Sequence, residues 1–230
     1  MFGFGKKKIE DETSEQRAFA GLALQATHET QKEILEEFDQ YLVDKKGATY
    51  AHFGTNQFYS GKMPISEDII AYLLGFVFGY CQSYGKDESF VFPTLVHFGE
   101  GYEKTTNNYL NALGLKYYEN SFFDVFEAAW TSKRYLHDEA TGNCFMEGLA
   151  DGKDYADRTN EIERNYSALK WPDTAEKLNL NGLRRIISGF SGQVLFSKEL
   201  MALAKMPMDW NDSQIDEELL RQGFDLKNFK

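Results

Sequence analysis

The sequence has few of the residues that form covalent or metal cross-links. Its 230 residues include only two cysteines, Cys81 and Cys144, and neither belongs to a CxxC motif or to a spaced Cys/His set. A disulfide framework and a structural zinc site are therefore not expected. Only four prolines occur, and no linker rich in Pro, Gly or Ser divides the chain. We expect a reducing, cytoplasmic setting and a single domain over residues 13–230.

Long hydrophobic runs are also missing. The longest apolar run covers residues 69–81, whereas a membrane-spanning helix needs about 20 apolar residues. We therefore expect no integral membrane association. The N-terminus carries Phe2, Phe4 and three lysines but runs straight into acidic residues, which is not the pattern of a secretory signal. We predict a flexible tail over residues 1–12 and leave open whether it touches a membrane.

Motifs of the common catalytic and nucleotide-binding folds are absent from the sequence. It has no GxGxxG after a strand pattern, no Walker-type GxxxxGK and no GxSxG. These motifs carry dinucleotide binding, NTP binding and α/β-hydrolase catalysis. The Glu-x-x-His pairs of a four-helix di-iron site are missing as well. We therefore expect no cofactor.

Acidic residues outnumber basic ones. The chain has 36 Asp and Glu against 25 Lys and Arg, which gives a formal net charge of -11. A field of that sign repels phosphate backbones, so nucleic acid is not an expected partner. It attracts cationic surfaces, so we expect a protein partner with a basic surface. The sequence leaves self-association open.

Aromatic residues and helix-capping signals dominate the rest of the chain. Phe, Tyr and Trp make up 15% of the residues, so the packing is expected to depend on large rings. Capping residues and apolar spacings of three, four and seven recur, and no sustained strand alternation competes with them. We predict an all-α fold, a single-domain bundle of about six to eight helices.

The clearest helix is predicted near residues 66–85. Ser66 is a favourable N-cap, two acidic residues follow in the first turn, and the helix should end near Gly85. The segment is apolar nearly all round, so we expect it to be the central helix of the bundle. Gly75 and Gly79 lie on one of its faces and should admit a neighbouring helix.

Other boundaries follow from glycine and proline. The first helix should cover about 14–44, and residues 47–62, which contain three glycines, are predicted as a loop. Residues 89–92 are predicted as an extended link, because Pro93 suits the first position of a helix.

In the second half of the chain, residues 141–143 should interrupt the chain before a long polar helix. Asp173 and Glu176 form a capping box for the next helix. The SGFSG segment at 188–192 is predicted to be a kink or a close helix contact, and Ser213 should begin a last short helix.

The polar helix predicted over residues 144–169 carries a candidate metal site. Its acidic residues lie at intervals of three or four: Glu147, Asp151, Asp154 and Asp157. Carboxylates clustered in this way can present oxygen ligands to a divalent cation. A solvated helix face, with Asp154 and Arg158 paired as i and i+4, explains the same pattern.

An aromatic pocket between helices is the second candidate site. The side chains that can line it carry hydroxyl or imidazole groups able to orient a ligand: Tyr80, Tyr84, His97, Tyr102 and Tyr109. Ordinary packing, with the tyrosine hydroxyls reaching water, explains the same residues.

The two cysteines are expected to differ in exposure. Cys81 ends an apolar run, whereas Cys144 follows a Gly-Asn pair that should form a turn. We predict that Cys144 is the more exposed and reactive thiol.

These observations support two functional hypotheses. The first is a non-enzymatic, acidic cytosolic interaction or regulatory protein, such as an adaptor, an inhibitor or an immunity-like factor. The alternative is a helical ligand-binding pocket protein, or a metal-dependent enzyme that uses the acidic face of the helix at 144–169. The first is favoured because no motif of high specificity for catalysis is present.

Overall fold

The fold is known from a computed structural model that describes residues 3–112, 114, 122–132, 139–166, 180–195, 197–203, 205–207 and 210–224. Within these residues the chain forms helices, turns and no strands, so the predicted all-α fold is confirmed. None of the helices in this part of the chain is both long and apolar enough to cross a membrane.

The helices follow one another in a simple order. Their bounds are α1 Gly3–Lys46, α2 Phe53–Ser60, α3 Glu67–Ser83, α4 Glu88–Ala112, α5 Phe122–Ser132, α6 Glu139–Tyr166, α7 Asn181–Leu195, α8 Lys198–Leu203 and α9 Asp212–Arg221. Short 3-10 turns lie at Ala48–Tyr50 and Met63–Ile65.

The chain divides into two compact units. The first unit comprises Met1–Thr30 and Ile65–Leu183, and the second comprises Gln31–Pro64 and Arg184–Lys230. Both α1 and α7 contribute residues to each unit. The single domain over residues 13–230 and the flexible tail over residues 1–12 stay predictions.

The helix predicted near residues 66–85 is confirmed as α3. The Ser66 hydroxyl accepts a hydrogen bond from the Ile69 N–H at 3.4 Å and caps the helix. Gly85 has a φ of 69° and follows the end of the helix, as predicted. Residues 69–81 are buried except for the half-buried Phe78, so the longest apolar run of the sequence is removed from water.

Gly75 and Gly79 bring α3 against the backbone of α6. A Cβ on Gly75 would collide with the carbonyl oxygen of Phe145, and a Cβ on Gly79 would collide with that of Leu149. The predicted role of this glycine pair in helix packing is therefore confirmed. Backbones this close gain van der Waals contact and Cα–H···O interactions that larger residues would prevent.

A second glycine pair, on α6, faces α3 in the same way. Gly148 lies against the carbonyl oxygen of Tyr72, and Gly152 lies against that of Phe76. Residue numbers rise together along both helices, so α3 and α6 are parallel. The contact fixes the face of α6 that carries Asp151.

The predicted loop over residues 47–62 is wrong, because α2 lies within it. Gly54 is needed for packing: a Cβ there would lie 2.7 Å from a ring carbon of Phe38 and 2.8 Å from Asp39 Oδ1. The glycines of this segment were interpreted as turn residues, whereas this one allows a close approach. α1 also begins earlier than the predicted start near residue 14, because the Lys- and Glu-rich residues before Thr13 favour helix.

The extended link predicted at 89–92 is also wrong. α4 begins at Glu88, and Pro93 lies inside it. The cap is Asp87, whose Oδ1 accepts the backbone N–H groups of Ser89 at 3.0 Å and Phe90 at 3.3 Å. This cap starts the helix early enough that the proline falls in its second turn.

Glycines that were predicted to mark breaks or close contacts lie inside α6 and α7. Residues 141–143 belong to α6, so the interruption placed there is wrong. α7 runs through residues 188–192, and a Cβ on Gly189 or Gly192 would meet nothing within 4 Å, so the close helix contact predicted there is wrong, whereas the kink stays a prediction. A helical glycine costs only about 1 kcal/mol relative to alanine, which tertiary packing can offset.

The last helix begins two positions earlier than predicted. Asn211, not Ser213, caps α9, and its side chain accepts the Gln214 N–H at 3.1 Å. The Gln214 side chain accepts the Asn211 N–H in return and completes a capping box. The capping box predicted at Asp173 and Glu176 lies outside the described residues.

Candidate functional site

Tyr80 and Tyr84, two of the predicted pocket residues, lie together in an aromatic cluster of the first unit. Their ring centroids are 5.5 Å apart in an edge contact, and Phe19 of α1 lies 5.0 Å from each. Phe90 of α4 lies 5.4 Å from Phe19, and Tyr155 of α6 lies 5.1 Å from Tyr80. These five rings, here named the aromatic cluster, join four helices.

The hydroxyl groups of Tyr80 and Tyr155 are held in their protonated form. Burial raises the pKa of Tyr80 and raises the pKa of Tyr155 to about 12. The Tyr155 hydroxyl donates to the carbonyl oxygen of Leu22 at 3.2 Å. The hydroxyls can therefore donate hydrogen bonds at neutral pH but cannot act as bases.

Lys86 covers the aromatic cluster on the turn between α3 and α4. Its Nζ lies 4.5 Å from the ring centroid of Phe90 and 5.8 Å from that of Phe19. The same Nζ is 2.6 Å from Glu15 Oε1. An ammonium group over two ring faces and beside a carboxylate forms both cation–π and ionic contacts. Neither Lys86 nor Glu15 was identified from the sequence, because they meet only in the fold.

A surface depression of about 390 Å³ lies beside Lys86. It is lined by Gln82, Ser83, Gly85, Lys86, Asp87 and Lys153. Asp87 is occupied by capping α4, and the Ser89 hydroxyl that bonds it lowers the pKa of its carboxyl. The charges of its two lysines are offset by Asp87 in the lining and by Glu15, which pairs with Lys86.

The other predicted pocket residues lie in different surroundings. Tyr102 is buried and stacks on His28 at 5.3 Å and on Phe98 at 5.9 Å. Burial lowers the pKa of His28 to about 4, so this imidazole is neutral at physiological pH. His97 is half-buried with its Nδ1 3.7 Å from Glu100 Oε2, and Tyr109 is half-buried. The structure thus brings Tyr80 and Tyr84 together and places Tyr102 in a second aromatic group.

Asp151, a predicted metal ligand, is occupied by hydrogen bonds within the first unit. Its Oδ2 accepts the Tyr72 hydroxyl at 2.8 Å and the Gly182 N–H at 2.8 Å. Gly182 is the second residue of α7, and a Cβ there would lie 2.7 Å from the Tyr72 ring and 2.9 Å from Glu147 Cβ. Burial raises the pKa of Asp151. The carboxylate therefore fixes the start of α7 against α3 and α6.

The remaining acidic residues of α6 are more exposed. Asp154 Oδ2 lies 2.9 Å from Arg158 Nε, as the i and i+4 spacing predicts, and Asp157 is exposed. Glu147 is half-buried. Within the described residues, no three His, Cys, Asp or Glu side chains are grouped so that they can hold a metal ion. A metal site at Glu147, Asp151, Asp154 and Asp157 stays a prediction.

Both thiols are buried. Cys144 is 5% exposed and Cys81 is 0% exposed, so Cys144 is the more exposed thiol as predicted, although the difference is small. Cys144 is buried because residues 141–143 are helical and do not form the predicted turn before it. The greater reactivity of Cys144 stays a prediction. Burial raises the pKa of Cys81 to about 12, which keeps that thiol protonated.

No protein-family model, curated protein or solved structure matches this chain.

Proposed function

We propose that this chain is a non-enzymatic cytosolic interaction or regulatory protein whose acidic surface binds a partner with a basic surface. The position of its charge carries the proposal. The net charge is -11, and Asp39 is the only charged side chain that is buried among the described residues. The excess of negative charge therefore faces solvent, where it attracts a cationic partner and speeds its association.

Two exposed acidic residues form ion pairs at the surface of the second unit. On α1, Glu36 lies 3.7 Å from Lys32, and Glu37 lies 3.0 Å from Arg184. Such exposed ion pairs contribute about 0–1 kcal/mol each, so cations of a partner can replace them at little cost.

The state of the reactive groups supports a non-catalytic role. The Cys81 thiol is protonated because burial raises its pKa to about 12. Asp151 accepts hydrogen bonds from Tyr72 and Gly182, and the His28 imidazole is neutral because burial lowers its pKa to about 4. These groups serve packing and capping, whereas a catalytic group needs access and a pKa close to the working pH.

A salt series on the recovered partner tests this proposal. The tagged chain is used to capture partners from its host, and the affinity of the purified pair is measured from about 0.1 to 1 M salt, where the screening length falls from about 10 to 3 Å. We expect the affinity to fall strongly over this range. An affinity that does not change with salt would contradict the proposal.

Charge variants separate the acidic surface from general salt effects. The test variant removes three exposed acidic charges on different helices: Glu36→Gln, Asp157→Asn and Glu217→Gln. The matched control removes three exposed basic charges: Lys104→Gln, Lys198→Gln and Lys205→Gln. We expect weaker binding by the first variant and undiminished binding by the second. Equal losses in both would show that the acidic surface does not recognise the partner.

A further inference from the structure

The aromatic cluster holds an ammonium group that belongs to the chain itself. Lys86 Nζ lies over the Phe90 ring at 4.5 Å, within 5.8 Å of the Phe19 ring centroid and 2.6 Å from Glu15 Oε1. Ring faces combined with a carboxylate are the chemistry by which proteins recognise lysine and methylated ammonium groups. Lys86 Nζ therefore marks the position that the ammonium of a ligand would take.

The rings at this position are fixed independently of Lys86. Phe19 packs against Tyr80 and Tyr84 at 5.0 Å each, and Phe90 lies 5.4 Å from Phe19. Phe19, Tyr80 and Phe90 lie on helices, and Tyr84 is the residue that follows the end of α3. The two faces therefore stay in place when the ammonium leaves, which is the preorganisation that a binding site requires.

The Lys86 side chain can leave without disturbing the turn that carries it. The turn is held by its backbone, since the Lys86 N–H donates to the Cys81 carbonyl at 3.1 Å and the Gly85 N–H to that of Gln82 at 2.9 Å. The side chains of Lys86 and Glu15 are 25% and 45% exposed. At that exposure water screens the ion pair, and both the ion pair and the cation–π contact are weak enough for a competing ammonium to replace them. The adjoining depression of about 390 Å³ gives access from solvent.

We propose that Phe19, Phe90 and Glu15 form a binding site for the side-chain ammonium of a lysine on a basic partner, and that Lys86 occupies this site in the free protein. The partner lysine displaces Lys86, so the site is closed until a competing ammonium arrives. The identity of the ligand as a partner lysine rests on the proposed function, whereas the ammonium site itself does not.

Tetramethylammonium is the probe that tests the site without any partner. In the Lys86→Ala chain the site is empty, and we expect tetramethylammonium to shift the NMR signals of the Phe19 and Phe90 rings. The native chain should need a concentration roughly tenfold higher or more, because its tethered ammonium competes at a high effective concentration. The neutral isostere tert-butanol should shift these signals far less in the same variant.

Lys153→Ala is the matched control, because Lys153 lines the same depression. This variant loses the same charge but keeps Lys86 and should behave like the native chain. Adding Glu15→Gln to Lys86→Ala should weaken tetramethylammonium binding. If Lys86→Ala fails to fold by circular dichroism, Lys86→Gln, which keeps more of the side-chain stem, takes its place in the titration.

Three results would overturn the ammonium site. The first is that tetramethylammonium shifts no ring signals in Lys86→Ala, and the second is that tert-butanol shifts them as much as tetramethylammonium does. The third is that Lys153→Ala increases the response to tetramethylammonium as much as Lys86→Ala does. The partner assignment has a separate test, since Lys86→Ala should bind the basic partner more tightly than the native chain. If the probe binds as expected while partner binding is unaffected by salt, the ammonium site stands and the proposed function fails.

Discussion

Asp39 on α1 caps the start of α2 by accepting the N–H of Gly54 at 2.7 Å. The Thr55 hydroxyl donates to the second oxygen of the same carboxylate at 2.5 Å. His52, the N-cap residue by position, forms no side-chain capping bond. The first turn of α2 therefore takes its cap from a different helix, in a place where the helix dipole favours negative charge.

Asp151 does the same for α7. Its Oδ2 accepts the N–H of Gly182, which like Gly54 is the second residue of its helix. In both cases a Cβ on the glycine would crowd the helix that supplies the carboxylate. In each case an aspartate on a long helix caps a shorter helix whose second residue is glycine. The capping role explains why Asp151 is half-buried.

Removing the Asp39 cap should destabilise the protein. We expect Asp39→Ala to lower the free energy of unfolding by about 1–3 kcal/mol, because it leaves buried N–H groups of α2 without an acceptor. Asp39→Asn retains one acceptor oxygen and should lose less. Urea unfolding followed by circular dichroism measures both. Asp44→Ala is the control, since the Asp44 carboxylate bonds an exposed Gln40 side chain, and its effect should stay within about 0.5 kcal/mol.

The same residue predicts a pH dependence of stability. Burial raises the pKa of Asp39 in the folded state above its value in the unfolded chain. At a pH between these two pKa values, the folded state therefore binds more protons than the unfolded state. The contribution of Asp39 to stability is then largest below its unfolded pKa and declines as the pH rises through its folded pKa. We expect the stability difference between the native chain and Asp39→Asn to decline with rising pH in this window. A difference that grows with pH would show that hydrogen bonding outweighs burial.

What could be predicted from the sequence was local. α3 was found because its cap at Ser66 and its apolar run are contiguous, and the Gly75 and Gly79 contact follows from their spacing of four. The caps from Asp39 and Asp151 were missed because neither is close in sequence to the N–H group that it binds. Asp39 lies 15 residues from Gly54, and Asp151 lies 31 residues from Gly182.

The candidate site shows the same limit. Tyr80 and Tyr84 were identified because both fall within the helix predicted near residues 66–85 and carry hydroxyl groups. Phe19, Lys86 and Glu15 join them only through the packing of α1 and of the turn before α4. The start of α4 was predicted at Pro93, because proline is a strong signal for the first position of a helix. The aspartate at position 87 is a weaker signal, although it is the residue that caps the helix.

The glycines of the α3–α6 contact should resist substitution. We expect Gly75→Ala or Gly152→Ala to cost about 1–3 kcal/mol or more, because the new methyl group would collide with a backbone carbonyl that cannot move alone. Gly21→Ala in α1 is the control. A Cβ there meets nothing within 4 Å, so alanine should stabilise the helix by about 0.5–1 kcal/mol. Thermal unfolding measures all three variants. The midpoint temperature should fall for Gly75→Ala and Gly152→Ala and rise for Gly21→Ala.

The bond between Tyr72 and Asp151 should show energetic coupling. Tyr72 is fully buried and its hydroxyl donates to Asp151 at 2.8 Å. We expect Tyr72→Phe to cost about 1.5–3 kcal/mol, because the bond has a charged acceptor. A double-mutant cycle with Asp151→Asn should give a coupling of about 0.5–3 kcal/mol. Tyr41→Phe on the exposed face of α1 should change little, and additive effects at Tyr72 and Asp151 would contradict the bond.

The two thiols should report global unfolding. Cys81 is fully buried with a pKa raised to about 12, and Cys144 is 5% exposed. A thiol that is both buried and protonated reacts slowly, since the thiolate is the nucleophile. We expect a disulfide reagent at pH 7.5 to label both cysteines at a rate that follows the population of open protein, and to label them rapidly in urea. Gly75→Ala, which weakens the packing around both helices, should raise the labelling rate at each thiol, whereas Gly21→Ala should lower it. Immediate labelling of Cys144 in the native chain would instead mean that the start of α6 opens on its own.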